Sequence, residues 1–132
     1  MITAIDTNIL LDVFLPDPEY SSNSASLLKD SFNKGKLLIC EIVYAELVPQ
    51  FHNKKILDET LAKINISLSN LNSDIAYLAG ERWKRYRQSG GKRTRIITDF
   101  LIGAHALQKA DLFLTRDRGF YSTYFPELFI SH

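Results

Sequence analysis

Residues 1–12 read MITAIDTNILLD. Ile2-Thr3-Ala4-Ile5 is short, apolar and rich in β-branched residues, which predicts a buried strand. Asp6 closes it, and Thr7, Asn8 and an apolar run follow at once, which predicts a helix. An acid at this junction has two readings. Asp is a favoured helix cap, and the carboxyl ends of strands are where sites gather in open α/β sheets. This stretch alone leaves both open.

Outward from it, the prolines at 16 and 18 break the chain into a loop, and residues 21–34 predict a helix stopped by Gly35. Residues 37–40 (LLIC) predict a second buried strand, followed by helices over 41–50 and 54–64 and a short strand over 66–68. A long helix starts near Asn72 or Ser73, both plausible caps. It carries Ile75, Leu78, Ala79, Trp83 and Tyr86 on one face and ends at Ser89-Gly90-Gly91. Thr98 is expected to cap a further helix, DFLIGAHALQKA, before a strand over 111–115, a short turn and a last strand near 128–130. Short apolar strands alternating with helices predict an α/β fold with a parallel sheet covered on both faces. No repeat or linker divides the chain, so residues 1–132 read as one domain.

With 132 residues, 45% of them hydrophobic, the chain can bury one sizeable core. No apolar run approaches the roughly 18–20 residues that cross a bilayer, and the N-terminus lacks the features of a secretory signal. A cytoplasmic protein with no membrane partner is expected. Cys40, the sole cysteine, excludes an intramolecular disulfide and a cysteine-built zinc site. The formal net charge of +1 hides an uneven distribution. Residues 1–81 carry a net −5 and residues 96–132 a net −1, whereas residues 82–95, RWKRYRQSGGKRTR, hold seven basic residues and no acid. That stretch is a candidate phosphate-binding surface, with a solvated helix end and loop as the plain alternative.

The acids separate by position. Asp6 and Asp117 each follow a predicted strand and can share one edge of the sheet. Glu41 and Glu46 lie about 140° apart on a helix, so they do not face the same site. Glu41 suits the first turn, where the helix dipole favours negative charge. Glu46, in mid-helix among Ile42, Val43, Ala45 and Leu47, is expected to be partly desolvated, a costly state unless it is paired or metal-bound. Asp99, at a helix start, says little by itself. Asp12, Asp17, Glu19, Asp30, Asp58, Glu59 and Glu127 read as surface charges. The histidines at 52, 105 and 132 show no short ligand spacing, and His105 and Cys40 read as packed core. Gly90-Gly91 lacks the rest of a phosphate loop. An acid-only constellation survives.

AIDTNILLD, EIVYAEL, ITDFLIGAHAL and LFLTRDRGF resemble, in that order, the four blocks of the PIN domain, and the length is similar to that of the VapC-type toxins of toxin–antitoxin pairs. The resemblance implies a three-layer α/β/α fold and a metal-dependent ribonuclease leaving 5′-phosphate and 3′-hydroxyl ends. It implies Asp6, Glu46, Asp99 and Asp117 as catalytic, metal-holding acids, with Asn8 and Thr115 as their polar support. Clustered carboxylates repel unless they take up protons or cations, and Mg²⁺ or Mn²⁺ suits an all-oxygen set that leaves room for phosphate. Lys92, Arg93 and Arg95, beyond the glycines, are the expected RNA contacts. The partners implied are an RNA substrate and a cognate antitoxin whose basic side chain enters the acids. Phe14, Leu15, Tyr44 and Phe51 are candidates for docking that antitoxin or the second copy of a homodimer. Two alternatives remain: a housekeeping RNA-processing nuclease of the same family, and a receiver-like Mg²⁺-binding signalling domain, against which Asp6-Thr7-Asn8 lacks the paired acid at strand one.

Overall fold

The computed structural model describes residues 1–90 and 95–131. In chain order its elements are β1 (Ile2–Ile5), α1 (Thr7–Phe14), α2 (Ser21–Lys34), β2 (Lys36–Ile39), α3 (Glu41–Leu47) and α4 (Lys54–Lys63). There follow β3 (Ile66–Leu68), α5 (Ser73–Gln88), α6 (Ile97–Lys109), β4 (Leu112–Leu114), α7 (Arg118–Tyr124) and β5 (Ile130–Ser131). The strands form one sheet in the order β3-β2-β1-β4-β5, with every pairing parallel. Ala4 of β1 lies opposite Leu38 on one side and Phe113 on the other. With helices covering both faces, this is the three-layer α/β/α arrangement expected. A receiver-like domain would order its strands 2-1-3-4-5, so the topology departs from that alternative.

The order reverses at β1. The chain steps from β1 to β2 to β3 in one direction and then returns to place β4 on the other side of β1. Diverging connections leave a crevice at the carboxyl ends of β1 and β4, the switch point where open sheets bind ligands. Asp6 ends β1, and Thr115 and Asp117 follow β4.

Several expected boundaries move, each for a local reason. The helix expected over 41–50 becomes α3 and a short 3-10 turn, Val48–Gln50, because Pro49 lacks the N–H that would continue an α-helix. The strand expected over 37–40 runs one residue earlier, leaving Cys40 as the cap position of α3. Thr98 lies inside α6 rather than capping it, for Ile96 holds the cap position. The turn expected after β4 is the helix α7, whose Phe120, Tyr121 and Tyr124 pack against Tyr86, Phe100, Phe113 and Phe125 at centroid distances of 4.9–6.5 Å. Arg82 fixes the chain beyond α7, donating to Tyr124 O at 2.8 Å and to both carboxylate oxygens of Glu127, with its guanidinium over Phe125.

Asp12 is the largest correction. Expected at the surface, it is 3% exposed and accepts from Ser24 Oγ and from Nε and Nη2 of Arg116 at 2.7, 2.7 and 3.0 Å. A buried carboxylate is tolerated when paired and hydrogen-bonded in this way. The docking candidates also change. Phe14 and Phe51 pack edge to face at 5.6 Å and Tyr44 donates to Asp58, so of the four Leu15 alone is exposed.

α6 is the most buried helix partner of the sheet, with Phe100, Ile102, Gly103, Ala104, His105 and Ala106 all inside. Gly103 is required there: a Cβ at this position would lie 2.7 Å from the buried Phe125 ring. Gly103→Ala is therefore expected to lower the stability by about 1–3 kcal/mol through overpacking. Gly80→Ala, on α5 with open space around the added carbon, should raise it by up to about 1 kcal/mol. Urea denaturation of both variants checks the opposite signs.

Candidate active site

At the β1–α1 junction, Asp6 is both the cap of α1 and a buried acid at the carboxyl end of β1. Its Oδ1 accepts from Thr7 N at 2.8 Å at the start of α1, while Oδ2 accepts from Thr115 Oγ1 at 2.7 Å and Asn8 Nδ2 at 3.4 Å. The residue is 6% exposed, and among the described residues no Lys, Arg or His is ion-paired to it. Burial pushes its pKa up to about 6. The hydrogen bonds from Thr115 and Thr7 oppose that rise, and the charges of Glu46 and Asp99 add to it.

The neighbouring acids come from three other elements. Thr7 Oγ1 donates to Glu46 Oε1 at 2.7 Å and so ties α3 to the start of α1. Glu46 itself is exposed, contrary to the desolvation expected of it. Glu41 points elsewhere: its Oε1 accepts from Leu71 N at 2.6 Å. Asp99 is half-buried in the first turn of α6, where Oδ2 accepts from Ile96 N at 3.3 Å. This is half of a capping box, since Ile96 has no side-chain acceptor to complete it. Burial raises the pKa of Asp99; the Ile96 N–H and the charge of Arg95 oppose the rise, and the charge of Asp117 adds to it.

Asp117 stands at the start of α7, its N–H donating to Thr115 Oγ1 at 3.0 Å, and its carboxylate is ion-paired to Arg95. Asn8 Oδ1 accepts from Arg116 N at 3.2 Å, so Asn8 and Thr115 both join the loop after β4 to the loop after β1. Tyr121, in the aromatic packing below, donates to Asp99 O at 3.3 Å. Burial holds its phenol pKa well above the usual value, and the charges of Asp6, Asp99 and Asp117 hold it higher still.

The structure thus brings Asp6, Glu46, Asp99 and Asp117 to one edge, with Asn8 and Thr115 between them. Lys92 and Arg93 lie outside the described residues, and Arg95 reaches the acids. Thr7, Tyr121 and the Arg116–Asp12 anchor were missed. Of these, Thr7 had a signal, a hydroxyl directly after Asp6 in the first helical turn. Among the described residues no three His, Cys, Asp or Glu side chains are gathered tightly enough to hold one ion. The donor chemistry nonetheless fits a hard divalent cation, since the atoms offered are carboxylate, hydroxyl and amide oxygens. A buried carboxylate met by neutral donors alone also lacks the counter-charge that an ion supplies.

Comparison with known proteins bears on the family and the fold. The family model described as the PIN domain matches residues 3–126. No curated protein matches the chain. Among solved structures, VapBC2 from Rickettsia felis bound to a promoter DNA fragment is similar at 23% identity, with a TM-score of 0.70 over 99% of this chain and 98% of that one. VapBC-1 from nontypeable Haemophilus influenzae is similar at 19% identity and a TM-score of 0.73, covering 99% and 97%. FitAcB from Neisseria gonorrhoeae is similar at 21% identity and a TM-score of 0.68, covering 100% and 97%. At these identities the likeness is one of fold.

Asp6 gives the site a testable electrostatic cost. Its folded pKa of about 6 exceeds the unfolded value of roughly 3.9, so ionisation destabilises the metal-free fold above about pH 6, and the cost vanishes below about pH 4. In chelator, Asp6→Asn should be more stable than wild type at pH 8, by at most about 3 kcal/mol, and should lose that advantage near pH 4. Denaturant melts of both proteins at the two pH values measure the difference.

Proposed function

The chain belongs to the PIN domain family, and from that premise we propose that it is a divalent-metal-dependent endoribonuclease, the toxin of a toxin–antitoxin pair. The observation that carries the reading is the convergence of Asp6, Glu46, Asp99 and Asp117 at the switch point between β1 and β4. Asp6, Glu46, Asp99 and Asp117 would hold Mg²⁺ or Mn²⁺ through carboxylate oxygens, and the ion when bound would supply Lewis acidity and a more acidic water for phosphodiester hydrolysis. Thr115 and Asn8 hold the Asp6 carboxylate in one rotamer, and Thr7 holds Glu46 beside it. Asp99, whose Oδ2 is engaged by Ile96, offers Oδ1 to the proton released as water attacks. The exposed side of Glu46 and the half-exposed Asp117 leave the edge open to a polymer.

The toxin assignment is supported by the structural neighbours, which are toxin–antitoxin assemblies by their descriptions, among them a toxin–antitoxin complex from Klebsiella pneumoniae at 19% identity and a TM-score of 0.68. Its partner would be an antitoxin that covers the acids. Among the described residues no helix is long and apolar enough to cross a membrane, in keeping with action on RNA in the cytoplasm. A housekeeping nuclease would share the chemistry but need no such partner.

Purified protein incubated with total RNA should cleave it with Mg²⁺ or Mn²⁺, leave 5′-phosphate ends and stop on adding chelator. Asp99→Asn, Asp117→Asn and Glu46→Gln should each lower the rate about 100-fold or more, whereas Glu41→Gln should stay near wild type. Equal loss in Glu41→Gln, or cleavage that survives chelator, would defeat this assignment of the site. Failure of any small protein to co-purify from the native operon, with no toxicity on expression, would decide for the housekeeping role.

A further inference from the structure

Arg82, Arg95 and Arg116 are each ion-paired, and their partners differ in kind. Arg82 bonds Glu127, and Arg116 bonds Asp12; both acids lie outside the site. Arg95 bonds Asp117, which lies within it. It directly precedes Ile96, the cap of α6, and its guanidinium is stacked on Phe120, 4.4 Å from the ring centroid. With its side chain 30% exposed, the group stays within reach of solvent and of anything bound at the edge.

A guanidinium on Asp117 does for the metal-free protein what a cation would do, neutralising part of a cluster of acids. It also competes with a cation, because two positive charges at one carboxylate repel. Planar and always charged, a guanidinium also suits a phosphodiester.

We propose that Arg95 is an exchangeable counter-ion and phosphate-binding residue: it holds Asp117 in the metal-free protein, yields it to a divalent cation, and turns to a phosphate of the RNA. This inference rests on the metal-dependent nuclease reading above. It makes the ion pair a latch rather than a strut. Phe120 serves as the platform on which the guanidinium pivots, since stacking does not fix the in-plane direction of its N–H groups.

The test uses Mn²⁺ binding to chelator-treated protein, read by the EPR signal of free Mn²⁺ without RNA. Arg95→Gln should bind Mn²⁺ about three- to tenfold more tightly than wild type, as expected on removing a like charge from a ligand. Arg95→Lys, which keeps the charge, should stay near wild type. With Mn²⁺ bound, the state in which Arg95 is released from Asp117, the same Arg95→Gln protein should bind a single-stranded DNA oligonucleotide more weakly than wild type. Mn²⁺ affinity unchanged or weaker in a folded Arg95→Gln variant would overturn the latch and leave Arg95 a structural strut. Absence of Mn²⁺ binding in every protein would instead overturn the metal-dependent reading itself. Should Arg95→Gln fail to fold, the wild type still decides the matter: the Arg95 Nε–H resonance, assigned through Arg95→Lys, should shift on Mg²⁺ titration with the midpoint of binding. A resonance unmoved at saturation would refute the exchange.

Discussion

The arrangement of the acidic edge depends on the carboxylate of Asp6, buried at the end of the central strand. It joins two segments that the sequence keeps far apart: the first turn of α1, through Thr7 and Asn8, and the loop after β4, through Thr115, a loop that Asn8 also holds by accepting from Arg116 N. β1 is hydrogen-bonded to strands on both sides, so this acid cannot drift. A fixed carboxylate is what a metal site needs, because ligands held before binding lose little freedom when the ion arrives. The burial that fixes Asp6 also raises its proton affinity, so rigidity and charge oppose each other at one residue.

The other acids are held less rigidly, and the gradient has a structural cause. Asp99 and Asp117 begin α6 and α7, whose relative position is set by the packing of Phe100, Phe120, Tyr121, Tyr124 and Phe125. Each stands one step out from that packing, half-buried, with a carboxylate oxygen left for other partners. Glu46 is exposed and joined to the rest through a single hydroxyl. Order therefore declines from the sheet outward, from an acid locked by neutral donors to acids that can move to meet an ion or a substrate.

How much of this was legible follows from the range of the forces involved. Strands and helices were readable because apolar periodicity is local, and their errors fall where a single residue such as Pro49 ends an α-helix. Asp6 and Asp117 were readable as neighbours because both follow strands at one edge of the sheet, whereas Asp99, at a helix start, was picked out only by the family resemblance. α7 was missed because its apolar residues are aromatics that pack onto α5 and α6, and no seven-residue segment reveals such partners. Glu46 was placed correctly in its helix but given the wrong burial, since exposure depends on where the chain goes after Leu47. The pairings of Asp12 and Arg95 were hidden altogether, at separations of 104 and 22 residues.

Asp12 shows why such hidden pairs matter to the chemistry. Arg116 directly precedes Asp117, and a guanidinium free at that position would lie beside the acids and neutralise them permanently. The fold removes it. Asp12 takes Nε and Nη2 in a forked pair, Ser24 satisfies Asp12 further, and the Tyr20 ring covers the guanidinium at 4.0 Å. The cost of burying Asp12 is offset by that complete set of partners, and the loop carrying Asp117 is anchored by the same contacts. One arginine is thus sequestered by an acid outside the site while another, Arg95, is left in contact with it. The burial of Asp12, a packing detail of α1 and α2, engages the Arg116 guanidinium outside the acid cluster and leaves Arg95 as the guanidinium paired with Asp117.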